Sequence, residues 1–221
     1  MYKTELHLHS HEVSPCCDLP TEETARRYRE AGYRTVTVTD HLTKAVTERS
    51  GPWADTVEWF MSGYHAFCDR LGGAIHVLFG FELRLEEHPN DYLVYGLGRD
   101  FLLASRGITA MPRREAAKLI HEAGGLLYAA HPFRNNMTVL PPDGLDGVEV
   151  FNAHGGHDSR NELAYAYAKR YGLHGIAGTD FHHPYHFPAA GILTEKEIRS
   201  EKDLLSVLRE GSYRTFGQIA G

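Results

Sequence analysis

Apolar and polar positions alternate along residues 3–9, Lys3-Thr4-Glu5-Leu6-His7-Leu8-His9, and a two-residue period predicts a strand. Residues 20–31 open on Pro20-Thr21-Glu22-Glu23 and stop before Gly32, a helix with ordinary start and stop signals. The β-branched run Thr35-Val36-Thr37-Val38-Thr39 reads as the next strand and ends in Asp40-His41. A helix is expected over 54–71, halted by Gly72-Gly73, then buried strands over 75–83 and 91–97. Pro112 opens a helix that runs to Gly124-Gly125. Strands at 126–130, 147–151 and 174–178 follow, with an amphipathic helix at 158–171 between the last two. A helix at 201–210 and a strand at 212–216 complete the pattern. Strands alternate with helices for most of the length, which implies a parallel sheet or barrel with helices outside. With 221 residues the chain is short for an eightfold barrel, so a distorted or incomplete barrel in one domain spanning residues 1–221 is expected.

In such a fold the C-terminal ends of the strands share one face, and sites are built there. The residues at those ends are able to bind metal. They are His7 and His9, Asp40 and His41, Glu82, His131, and Asp180 and His182. Two residues apart on a strand point the same way, so His7 and His9 can reach one ion, and Asp180 and His182 repeat the spacing. Glu82 lies inside the apolar run Val77-Leu78-Phe79-Gly80-Phe81-Glu82-Leu83, where a carboxylate needs a partner. A salt bridge to Arg84 or another arginine would satisfy it as well as an ion would. Imidazole with carboxylate suits zinc, manganese or iron better than calcium or magnesium.

Composition changes this picture little. Fifteen histidines are many, and their placement is what matters. A formal net charge of −6 with no Lys/Arg run disfavours a long polynucleotide partner. Cys16, Cys17 and Cys68 are odd in number and two are adjacent, which argues against a disulfide framework. No apolar run is long enough for a membrane span and the N-terminus lacks a signal-peptide pattern, so a cytoplasmic location is expected.

Six stretches, in order, resemble the PHP family, named for polymerase and histidinol phosphatase domains. They are His7-Leu8-His9-Ser10, Thr39-Asp40-His41, Gly80-Phe81-Glu82, Ala130-His131-Pro132-Phe133-Arg134, Gly147-Val148-Glu149-Val150-Phe151-Asn152 and Gly178-Thr179-Asp180-Phe181-His182. The resemblance implies a distorted (β/α)7 barrel, a di- or trinuclear centre of zinc, manganese or iron, and phosphoesterase chemistry. By motif, one ion takes His7, His9, Glu82 and Asp180. A second shares Glu82 and takes His131, and a third takes His41 and His182.

The chain departs from the family pattern at 10–18, where Glu12, Cys17 and Asp18 are the candidates for a further ligand and a carboxylate is preferred. It departs again at 88–92, where His88 or Asp91 stands for the usual histidine. Arg134 is placed to clamp a phosphate, and Asn152, His154 and Arg160 are candidates for substrate contact.

The expected activity is hydrolysis of a small phosphomonoester or nucleotide by a metal-bound hydroxide, with Glu82, Arg134 and His182 as catalytic residues. Three alternatives stay open. They are a 3′-5′ phosphodiesterase or exonuclease on short oligonucleotides, a non-catalytic accessory domain, and amidohydrolase chemistry, which often bridges its metals with a modified lysine where Glu82 stands.

Overall fold

The computed structural model describes residues 1–217. In chain order the strands are β1 (Tyr2–Leu8), β2 (Tyr33–Val38), β3 (His41–Leu42), β4 (His76–Arg84), β5 (Asp91–Tyr95), β6 (Leu126–Ala129), β7 (Gly147–Asn152), β8 (His174–Gly178), β9 (Ala190–Thr194) and β10 (Arg214–Gly217). The helices are α1 (Thr21–Glu30), α2 (Lys44–Thr47), α3 (Trp53–Phe60), α4 (Ser62–Leu71), α5 (Arg99–Ala104), α6 (Arg113–Glu122), α7 (Asn161–Tyr171) and α8 (Glu201–Glu210).

Seven strands lie side by side in the order β1-β2-β4-β5-β6-β7-β8. A single bridge between Leu8 and Phe181 brings the end of the last back to the first, so the sheet forms a nearly closed barrel. The pairs β1–β2, β2–β4, β6–β7 and β7–β8 are parallel, and β5 is antiparallel to both β4 and β6. The reversal of β5 corrects the expectation of an all-parallel sheet. The link from Arg84 to Asp91 is too short for a helical crossover and can only fold back as a hairpin. Consequently Asp91, the first residue of β5, sits at the end of the barrel where other strands finish.

Local chemistry accounts for most boundaries. α1 has Glu22 and Glu23 in its first turn, Arg27 and Arg29 in its last, and Gly32 beyond it at φ +76°. In α8 the Ser200 hydroxyl accepts from the Asp203 amide, and Gly211 closes the helix in the left-handed region. Leu204 and Leu208 of α8 cluster with Leu6, Leu78, Leu93, Leu126, Ile176 and Ile192, which come from six strands. The shared cluster places α8 against the apolar core between these strands, and the candidate site lies at the C-terminal ends of β1, β4, β6 and β8.

Three further expectations need correction. The helix expected over 54–71 is two, α3 and α4, meeting at Met61. β9, unrecognised in the sequence, pairs antiparallel with both β1 and β10 and extends the sheet past the barrel. β3 and the helices α2 and α5 were too short for periodicity to reveal. No helix among the described residues is long and apolar enough to cross a membrane.

Candidate metal centre

Glu82 is fully buried near the end of β4, and four imidazoles surround its carboxylate. His131 Nε2 lies 3.0 Å from Oε1, and His7 Nε2 lies 3.4 Å from the same oxygen. His9 Nε2 lies 3.4 Å from Oε2, and His41 Nδ1 lies 2.6 Å from Oε2 but outside hydrogen-bond geometry. Asp180 faces the same space: its Oδ1 is 3.4 Å from His7 Nε2 and from His9 Nε2, and 3.2 Å from His182 Nδ1. These residues come from β1 and the position just after it, from β3 and β4, and from the segments after β6 and β8, so the barrel alone brings them together. Two of the ligand candidates, His131 (φ +26°) and Asp180 (φ +53°), hold positive φ, which non-glycine residues adopt only when the surroundings impose it.

The fit to metal ions can be judged from unsatisfied atoms. His7 Nε2, His9 Nε2 and Glu82 Oε2 are buried and make no hydrogen bond. Polar atoms this deep are costly unless something binds them. Sets of ligand atoms within 4.8 Å of one another include His7/His9/Glu82, His7/His131/Asp180, Glu82/Asp91/His131 and His9/His41/His182. They overlap through Glu82, Asp180 and the histidines, a donor set suited to several adjacent divalent cations.

A second ring of residues orients these donors. The Glu149 carboxylate accepts from His7 Nδ1 at 2.9 Å, which leaves Nε2 to face Glu82. Ser14 Oγ is 3.2 Å from His9 Nδ1 and donates to Asp40 Oδ1, and Asp40 also accepts from the Ser10 amide and hydroxyl. Asn152 Nδ2 donates to Glu149 and to Asp180.

Electrostatics follow from this packing. Burial favours neutral imidazole, yet Asp180, Glu149 and Glu82 outweigh it and hold His7 well above the usual histidine range. Burial opposes charge on His41 too, and Glu82 overcomes it in the same way. His182 is also buried, but Asp180 beside it carries it up to about 10. His9 goes the other way, pressed well down by burial and by His182 and His41. Burial pushes the carboxyls of Glu82 and Asp180 up, and the facing imidazoles hold both well below the ordinary carboxylate range.

The cluster opens into a cleft of about 810 Å³ whose walls include Cys16, His41, Trp59, Arg134, His154 and His182. Arg134 lies 3.4 Å from Asp91 Oδ2 and 4.0 Å from Asp180 Oδ2, between the cluster and the cleft. His154 is buried on the far wall with its Nδ1 accepting from the Gly156 amide.

Other sequence candidates stand elsewhere. Glu12 lines the cleft, but its carboxylate is taken by the Thr21 hydroxyl. Asp18 is exposed and binds His183, and the Cys17 thiol turns inward to the His9 and Leu19 carbonyls. Neither Glu12 nor Asp18 joins the cluster. Loop residues 10–18 have no period from which side-chain direction could be read. Asp91 does reach it, while His88 contacts Glu87 and Tyr92 instead. Arg84 forks onto Asp91 at 2.6 and 2.7 Å, so the salt bridge weighed for Glu82 belongs to its neighbour across the hairpin. Asn152 is buried beneath the ligands rather than facing the cleft, and Arg160 ties down Asn135 and the Phe133 carbonyl. Sequence reasoning missed Glu149, although a carboxylate inside the apolar run Gly147-Val148-Glu149-Val150-Phe151 carries the signal that singled out Glu82. It also missed Cys16, whose thiol neighbours His41 and His182.

Comparison with known proteins bears on this arrangement. Residues 158–213 match a family model described as PHP-associated. Over 78 residues the chain is 41% identical to a 5′-3′ exoribonuclease of Haemophilus influenzae; the match takes in 31% of the chain and 28% of that protein's length. The fold resembles PsfC from Pseudomonas syringae, with a TM-score of 0.67 and 16% identity over 99% of the chain and 92% of that structure. It also resembles an amidohydrolase from Chromobacterium violaceum with bound sulfate (TM-score 0.60, 17% identity, 93% of the chain and 96% of that structure). A protein from Bifidobacterium adolescentis inferred to be a metal-dependent phosphoesterase is similar too (TM-score 0.55, 15% identity, 94% and 96%). The C-terminal match falls on the stretch that carries Asp180 and His182, within a barrel of the expected kind.

Proposed function

We propose that the chain hydrolyses phosphate esters at a centre of two or three divalent cations, zinc, manganese or iron. The supporting observation is the set of buried, unsatisfied ligand atoms of His7, His9 and Glu82 converging with Asp180 beneath an open cleft. The likeness to a protein inferred to be a metal-dependent phosphoesterase agrees with it. Cations held there would supply Lewis acidity toward a phosphoryl oxygen and an attacking water.

The chain's own residues divide the remaining work. Glu82, with an oxygen toward each of two histidine pairs, is the shared carboxylate. His7 and Asp180 would hold one ion with it, Asp91 and His131 a second, and His9, whose single free Nε2 can serve only one ion, would join His41 and His182 on a third instead of the first. Arg134 clamps the phosphate from the cleft wall. His154 has its Nδ1 occupied as an acceptor, so its Nε2 carries hydrogen and donates to substrate as a neutral group. His182 is assigned as a ligand and not as the proton donor, because one imidazole cannot do both.

A small phosphorylated substrate suits the cleft volume and the net charge of −6. An exonuclease on short oligonucleotides is the second reading, favoured by the likeness to a 5′-3′ exoribonuclease, the opposite polarity to that considered from the sequence. Purified protein should carry roughly two or three divalent ions per chain and cleave an aryl phosphate in a chelator-sensitive, metal-restored manner. Glu82→Ala should abolish that cleavage with the fold retained. Protein that neither holds metal nor gains cleavage on metal addition overturns the reading. Phosphorylated metabolites and 5′- or 3′-labelled oligonucleotides, assayed side by side, separate the two substrates.

A further inference from the structure

Cys16 has no place in the assignments above, yet it stands at the mouth of the cluster. It lies on the loop after β1, lines the cleft with His41 and His182, and has both of those imidazoles as its side-chain neighbours. His41 and His182 belong with His9 to one set whose ligand nitrogens lie within 4.8 Å of each other. In that set His9 Nε2 is fully buried and without a hydrogen-bond partner. An unsatisfied lone pair among three imidazoles calls for a cation, and three nitrogens leave a tetrahedral zinc one ligand short. The carboxylates nearest in sequence are engaged with Thr21 and His183. The other thiol of the loop, Cys17, faces backbone carbonyls inside the protein.

We infer that the Cys16 thiolate is a protein ligand of the ion held by His9, His41 and His182, making this the sulfur-bearing position of the centre. The inference rests on the metal-centre reading proposed above. On binding, the S–H bond breaks, its proton leaves to solvent, and the sulfur lone pair forms the metal–sulfur bond, with no change of oxidation state. A thiolate is soft, so this position selects zinc or ferrous iron over magnesium and manganese, while the ions around Glu82 keep an oxygen and nitrogen environment. A nucleophilic role for Cys16 fits less well, because its two imidazole neighbours already belong to the ligand set.

X-ray absorption at the zinc edge of the zinc-loaded full chain reads the bond directly. Wild type should show a sulfur neighbour at about 2.3 Å. Cys16→Ser should lose it, Cys17→Ser and Cys68→Ser should keep it, and Cys16→Asp should hold the wild-type zinc count with the sulfur replaced by oxygen. The cobalt-loaded protein gives a second readout, a near-ultraviolet sulfur-to-cobalt band present in wild type and absent in both Cys16 variants. A fully loaded wild type without sulfur, or sulfur that survives in Cys16→Ser, overturns the inference. If that protein still cleaves an aryl phosphate, the proposed function stands alone. A wild type that takes up no zinc or cobalt removes both.

Discussion

Glu149 settles which nitrogen of His7 faces the cluster. One of its oxygens takes His7 Nδ1, and the other accepts from the His131 amide and from Asn152 Nδ2. Both oxygens accept, so an amide in its place sets a donor against a donor. Glu149→Gln should weaken metal binding by roughly 10–100-fold, measured by competition with a chromophoric chelator. An unchanged affinity would show that His7 needs no such support. At this scale the sequence was legible where a charged residue interrupts an apolar run, as at Glu82, and illegible where direction depends on loop conformation. Residues 10–18 are the example: the thiol at Cys16 and the thiol at Cys17 point to different surroundings, and nothing in their spacing says which meets the histidines.

Elements place the ligands through a few close approaches. Helix α4 passes so near the end of β1 that a Cβ on Gly63 would lie 2.0 Å from Ser10 Oγ and 2.4 Å from Asp40 Oδ2. Those two groups anchor the loop that carries Ser14 against His9. Gly63→Ala should therefore cost about 1–3 kcal/mol in denaturant unfolding, as overpacking in a tight contact does. It should also lower metal affinity; a variant as stable as wild type would mean that α4 can withdraw freely. The elements that periodicity revealed are the long ones with a single exposed face or a continuous apolar run, such as α1, α8 and β4. The break at Met61 and the short strand β3 have no period to display. The direction of β5 lay in the brevity of the link before it, not in the strand's own residues.

For the whole molecule, the centre gathers more protons than it can keep once cations arrive. Carboxylates hold His7 and His41 well above the usual histidine range and His182 up to about 10, in each case against burial. Ligation needs neutral imidazole, so ion binding must expel those protons, and affinity must rise with pH and fall as pH drops. Calorimetric titration at pH 7 in buffers of different ionisation enthalpy should register release of roughly one to three protons per chain. Binding with no proton release would show that the imidazoles are already neutral. The barrel itself was legible from the alternation of elements and from six short stretches, because strand ends are where a barrel displays its chemistry. The antiparallel addition of β9 was not, since Ala190-Gly191-Ile192-Leu193-Thr194 is a five-residue run with no polar alternation.

That addition has a consequence in time. β1 precedes every other described strand, yet one of its two neighbours is β9, which follows it by more than 180 residues. Contacts so distant in sequence make for slow closure and leave the edge of β1 open until β9 has been made. His7 and His9 are carried on and just beyond that strand, while Asp180 and His182 precede β9 by only a few residues. On the proposed assignment, an ion shared between these two segments could be captured only once they have met, so its uptake would report the closure of the barrel.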